Sequence, residues 1–420
     1  MLTFCDHTEE LCMHRSRSWQ ILVSAAFFLA LTVAGSVQAA PDDEIRIGAV
    51  LPVTGKESKI GGAYKVATEL AVKEVNDAGG VKVHGKKMKI NLSLLDDTSD
   101  AAKSAQLVEQ LIVQGKVHAV IGGYGSQLVQ AQSVVPERYG VPYISGGAGA
   151  SAIYGRSKWV FGTLSPVEKL AQTQMEFLSD LVKAGKLKAP LKISLVRENT
   201  EHGKDFEKGV KDYVAAHPKQ YSIVVNESFE LYAPDFKPLL GRVQAAKGDI
   251  FMCDAHLEDF IAMHRSYTQM GLSHQMVTYG ARGADEAGRK GLGAATDYIF
   301  ASGWWSDLLP YPQVKAFNTK WQAATGKAPQ WYHACAYETV RALVAAIQKA
   351  GSLDPAAIRN GLATVELKDS ILPGGVLKFS KTGEAILPFV VTQNKPDGKL
   401  DLVWPKADKT GEPVAPIPHP

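Results

Sequence analysis

Arg282 stands in "HQMVTYGARGADEAG" (274–288), where an apolar run ends and a helix-like segment opens. A guanidinium is permanently charged and offers a planar fork of donors that suits a carboxylate. Similar apolar runs end in "GGYGSQ", "SGGAGAS", "RENTEHG" and "CDAHLED". These ends are rich in Gly, Ser, Asp and His, residue types that serve small-molecule binding. No catalytic set emerges. "GYGSQ" is not the G-x-S-x-G nucleophile elbow. "GGYGSQL" lacks the third glycine of a dinucleotide loop, and there is no P-loop. Asp254, His256 and His264, or His333, Cys335 and Glu338 of "HACAYE", have the chemistry of metal ligands but not the spacing of a metal motif. No enzyme activity, metal or cofactor is expected.

The elements that carry these loops alternate. "EIRIGAVLP" (44–52) reads as a strand, and "GGAYKVATELAVKEVNDAGG" (61–80) has helical apolar spacing ending in glycines. Strand 87–97, helix 100–116 with an acidic N-cap, strand 117–123, helix 126–140 and strand 141–145 follow. Repeated βα units imply a parallel sheet covered on both faces. A second series runs from about Lys158 to Gly280, with strands at 191–199, 221–231, 249–255 and 274–280. Then come 297–305, helices at 312–325, 333–350 and 354–362, and strands at 387–394 and 400–405. Ligands of open α/β sheets bind beyond the carboxyl ends of the strands. Two facing rows of such ends would make a cleft.

The 420 residues are 45% hydrophobic and 21% charged, with a net charge of +3 and no basic block. Nucleic acid is therefore not an expected partner. The N-terminus has a basic segment (Arg15, Arg17), an apolar stretch Ile21–Val33 and the small-x-small pattern Val37-Gln38-Ala39. It reads as a signal peptide over 1–40, cleaved after Ala39 or Ala40. Asp6, Glu9 and Glu10 suit a signal peptide poorly, which leaves Met1 and Met13 both open as the start. The exported chain keeps Cys253 and Cys335, either a pair or two buried thiols. The Pro-rich end reads as a flexible tail over 406–420.

"EIRIGAVLPVTGKESKIGGAYKVATELAVKEVNDAGGV", "DDTSDAAKSAQLVEQLI", "AVIGGYGS", "VPYISGGAGA" and "HACAYETVRAL" resemble the branched-chain amino acid type of periplasmic solute-binding protein. The resemblance covers about Glu44 to Pro405. It implies a two-lobed type I fold, each lobe a parallel sheet flanked by helices, joined by crossover strands. Lobe 1 would comprise 41–163 and 303–385, and lobe 2 would comprise 164–302 and 386–405. It also implies a periplasmic protein that closes on a small solute and delivers it to an inner-membrane ABC permease.

By this resemblance the ligand carboxylate would meet Gly125 and Ser126, where a glycine lets the backbone approach and a helix N-terminus favours an anion. Ala148 and Gly149 would supply backbone groups, and Tyr124 would line the cleft or pack beneath it. His202 and His256 fall where the family usually has aromatic residues. Arg282 falls at or next to the acidic partner of a ligand ammonium. The exchange favours a solute without an α-amino group, an aromatic or aliphatic acid, with Arg282 facing the cleft. The alternatives are an amino acid whose ammonium is held by Asp285 or Asp254, or a sensor that docks on a receptor. Trp304, Trp305 and Trp331 read as core more than as cleft walls.

Overall fold

The computed structural model of the protein describes residues 43–418. The signal-peptide reading over 1–40 lies outside these residues. In the first lobe β1 (Glu44–Leu51) is followed by α1 (Ser58–Asp77), the hairpin strands β2 (Val81–Val83) and β3 (Lys86–Asp96), and α2 (Ala101–Val113). Next come β4 (Ala119–Tyr124), α3 (Ser126–Ser133), α4 (Val135–Tyr139), β5 (Tyr143–Gly147) and β6 (Val160–Gly162). The strand order is β2-β3-β1-β4-β5-β6, parallel except for the β2–β3 hairpin. Ile45, Ile47, Ala49, Val50 and Leu51 of β1 are all buried, as a parallel strand covered on both faces requires.

Two local expectations are refined by chain chemistry. Asp100 caps α2, its carboxylate accepting from Lys103 N–H at 2.7 Å. The single helix expected over 126–140 is broken into α3 and α4, because Pro136 has no N–H to continue the ladder.

The second lobe contains α5 (Val167–Lys183), β7 (Leu191–Glu198), α6 (Glu201–Ala216), β8 (Tyr221–Phe229), α7 (Lys237–Ala246) and β9 (Ile250–Asp254). It continues with α8 (Leu257–Gln269), β10 (Met276–Tyr279), α9 (Glu286–Leu292) and β11 (Phe300–Gly303). Then α10 (Pro312–Thr325), α11 (Trp331–Ala350) and α12 (Pro355–Thr364) follow, before β12 (Val390–Asn394) and β13 (Leu400–Trp404). The second sheet has the order β13-β12-β11-β10-β9-β7-β8. Its parallel part ends at β11, and β12 and β13 add antiparallel strands.

Helix α11 packs back on the first lobe, against α1 and β5. Gly146 makes this possible, since a Cβ there would lie 2.3 Å from Thr339 Oγ1. The chain passes between the lobes after β6, after β11 and before β12. Ser165 ties the three passages together. Its hydroxyl oxygen accepts from Leu387 N–H at 2.7 Å, and its carbonyl accepts from Trp304 Nε1 at 2.8 Å.

The described part of the Pro-rich tail makes hydrogen bonds to the second lobe. Val414 N–H donates to the Gln393 side chain at 2.8 Å, Ile417 N–H to Gln275 O at 2.9 Å, and Lys186 Nζ to Pro413 O at 2.6 Å. The buried Gln393 side chain, Gln275 and Lys186 thus give this Pro-rich segment hydrogen bonds that it cannot make internally. Cys253 and Cys335 are both buried and free. No helix among the described residues is long and apolar enough to cross a membrane.

Candidate functional site

The carboxyl ends of the two sets of parallel strands face each other, and the lobes touch across the cleft. At the rim, Asp205 of α6 accepts from Ser151 N–H at 2.6 Å and from its hydroxyl at 2.8 Å. Lys59 meets Glu258 at 2.6 Å. Between the lobes lies a cavity of about 30 Å³, on a scale where one water needs about 10–15 Å³.

From the first lobe, β4 delivers Tyr124 and α3 begins with Ser126. Gly125 joins them at φ +90°, a conformation in which a side chain would be strained. Gly147 and Gly149 follow from the end of β5. The second lobe gives Glu198 at the end of β7, His202 in the first turn of α6, Asp254 at the end of β9, and then His256 and Arg282. Leu164, Trp304 and Trp331 form the hinge side of the wall.

Seven of the eight candidates read from the sequence therefore meet at one cavity: Tyr124, Gly125, Ser126, Gly149, His202, His256 and Arg282. Ala148 does not. It is buried beneath the wall, its carbonyl taken by the Tyr154 hydroxyl at 2.8 Å, and Gly147 stands at the cavity instead. Trp304 and Trp331, read as core, are wall residues too, because their mostly buried rings also close the hinge side. Trp305 donates from Nε1 to Ile371 O at 2.9 Å and is absent from this wall. Glu198 was missed. The signal for it was available, since it ends its buried strand as Asp254 ends β9.

Each cationic side chain that the second lobe brings to the cavity already has an anion. His256 Nδ1 lies 2.5 Å from Glu198 Oε2. His202 Nε2 lies 3.3 Å from Asp254 Oδ2, while its Nδ1 faces the Ser126 hydroxyl at 3.4 Å. Arg282 Nη1 donates to Asp285 Oδ2 at 2.9 Å, and Nη2 donates to the Tyr124 hydroxyl across the cleft. Its guanidinium also sits 4.9 Å from the Trp331 ring centre. Arg282 reaches the cavity as expected, but it is held by Asp285, Tyr124 and Trp331 and is not a free fork.

Burial by itself lowers an imidazole pKa, yet the Glu198 and Glu57 carboxylates push His256 well above the usual range. Burial likewise opposes the rise at His202, which Asp254 produces by charge and hydrogen bonding. Burial would raise the Glu198 carboxyl, but the His256 charge holds it below the usual range. His256 therefore favours the imidazolium form near neutrality, and His202 is shifted in the same direction. The other histidines singled out earlier lie elsewhere. His264 is held between the Tyr279 hydroxyl at 3.2 Å and Ala295 O at 2.7 Å, and burial keeps it neutral, with its pKa lowered to about 4. His333 caps α11 and is likewise lowered by burial, to about 3. Among the described residues no cluster of three His, Cys, Asp or Glu side chains is placed to hold a metal ion.

Two sheets, three tied passages and a polar cavity between strand ends define a two-lobed solute receptor. Residues 44–399 match the family model described as periplasmic binding protein, and the chain belongs to that family. It is 24% identical over 398 residues to the Leu/Ile/Val-binding protein homolog 8 of Brucella suis biovar 1, covering 92% of this chain and 96% of that protein. Solved structures share the fold. The branched-chain amino acid substrate-binding protein LivJ of Streptococcus pneumoniae, in complex with isoleucine, superposes with a TM-score of 0.74 at 22% identity, covering 86% of this chain and 100% of its own. A solute-binding protein of an ABC transporter from Rhodopseudomonas palustris BisB5, in complex with 3,4-dihydroxybenzoic acid, gives 0.75 at 21% identity, covering 90% and 99%. The protein is a solute-binding protein of this type and not an enzyme.

Proposed function

We propose that the protein is the periplasmic solute-binding component of an ABC importer, and that it captures a small carboxylated solute, an aromatic or aliphatic acid, by closing its lobes. The observation that carries the ligand class is the pairing of the α3 N-terminus with His202. Ser126 opens the helix, its hydroxyl 3.4 Å from His202 Nδ1, and Asp254 behind the ring favours the imidazolium. A carboxylate entering between them gains first-turn N–H donors, a hydroxyl and a charge-assisted N–H. Two neighbours of the same fold bind an aromatic acid and an amino acid.

An amino acid is the second reading, and one observation favours it. Asp254 Oδ2 is buried with no hydrogen-bond partner beyond the nearby His202, so it has room for an ammonium. A thermal-shift screen separates the readings. Benzoate, protocatechuate, short-chain acids and branched-chain amino acids are each added in excess. A ligand at about 100 times its dissociation constant stabilises by about 2.7 kcal/mol. Stabilisation by acids and not by amino acids supports the first reading, and the converse supports the second. No response to any of them defeats both.

A further inference from the structure

We infer that Glu57 is a positioning residue of the ligand site, contributed by the first lobe on closure, which fixes the state of His256 on the opposite wall. The proposal rests on the cavity being the ligand site. Glu57 immediately precedes α1 and is 6% exposed. Its Oε1 lies 3.5 Å from His256 Nε2 and accepts a hydrogen bond from the Tyr232 hydroxyl. Both partners belong to the second lobe, so the three side chains form a unit only when the lobes meet.

The unit is built, not incidental. Tyr232 has φ +63°, an uncommon conformation for an aromatic residue, and its N–H donates to Asp259 Oδ1 at 2.8 Å. Lys56 lies 4.5 Å from the centre of the Tyr232 ring. The groups that face His256 come from several elements. Glu198 is on β7, Asp259 on α8, and Glu57 before α1. Positive or ionisable neighbours are Arg282 after β10 and His202 of α6, whose ring centre is 6.5 Å away. Tyr124 of β4 meets the His256 ring edge-on at 6.2 Å.

Glu198 holds Nδ1 in both open and closed forms, because both residues are in one lobe. Of the carboxylates that face His256, only Glu57 changes with closure. Its arrival favours the imidazolium and engages Nε2, so closing fixes the charge and the orientation of the ring on the wall.

The test reads His256 directly. Its imidazole titration is followed by NMR in the full mature protein, in wild type, Glu57→Gln and Tyr232→Phe, alone and with 10 mM sodium benzoate or L-leucine. Glu57→Gln should lower the His256 pKa by about one unit, a tenfold larger acid dissociation constant. Tyr232→Phe, which keeps the carboxylate, should shift it much less. A His256 pKa unchanged by Glu57→Gln under every condition overturns the proposal. Failure of the site reading looks different: a probe binds by calorimetry while the His202 and His256 resonances stay where they were.

Discussion

Arg282 shows how a residue's role depends on what meets it. In the sequence it is a free guanidinium at a strand end. In the folded chain it is 6% exposed and shares charge with Asp285. Removing one partner of a buried pair leaves the other uncompensated, at a cost of about 3–5 kcal/mol. Arg282→Met should therefore lower the urea midpoint markedly, and adding Asp285→Asn should recover part of the loss. A single variant as stable as wild type would show that Asp285 is protonated or solvated when alone. The imidazoles carry the pH dependence. His256 has its folded pKa raised to about 9. Its contribution to stability is present in full below the unfolded value of about 6.5 and is lost as pH rises through the folded value. Thermal unfolding midpoints should fall between pH 6.5 and 9 in wild type, and the His256→Gln variant should fall less over that range. His202, also raised, should make acid binding weaken as pH rises, a trend that calorimetry on His202→Gln should find flattened.

At the scale of elements, the site depends on how α3 leaves β4. Gly125 holds φ +90°, and a Cβ there would come 3.3 Å from the Gln127 side chain. Gly125→Ala should cost about 1–3 kcal/mol for a strained backbone and should displace Ser126 from the cavity. The expected readout is a lower unfolding midpoint together with weaker ligand binding. Normal affinity with lower stability would mean that Ser126 is a helix-start residue and not a ligand donor. The second lobe solves the same problem differently. There Thr200 caps α6, accepting from Gly203 N–H at 3.2 Å, and so orients His202 in the first turn.

For the molecule as a whole, the proposed function requires that the lobes part and close. Hinge closure is a rigid-body motion in which a few connecting residues absorb the change. Ser165, Trp304 and Leu387 occupy those passages, and the rim pair of Asp205 with Ser151 spans the opening. Asp205→Ala should favour the open form. Small-angle scattering should then give a larger radius of gyration than wild type without solute, and the two should converge at saturation. Equal radii throughout would place the closing energy elsewhere.

The sequence alone determined the alternation of strands and helices, the two series, and the strand-end loops that line the cavity. These follow from local periodicity and turn chemistry, which a chain carries wherever it folds. The family resemblance drew seven cavity residues from those loops and missed Glu198, although it ends its apolar strand as Asp254 ends β9. What only the tertiary structure decided is which charges meet. Glu198 lies 58 positions from His256, and Glu57 lies 199 positions from it. Pairing at such separation is set by how sheets stack and lobes close, because Coulomb attraction and burial act through space and leave no period in the chain. The same reason explains why the Pro-rich composition of the tail gives no sign of its hydrogen bonds to Gln393, Gln275 and Lys186.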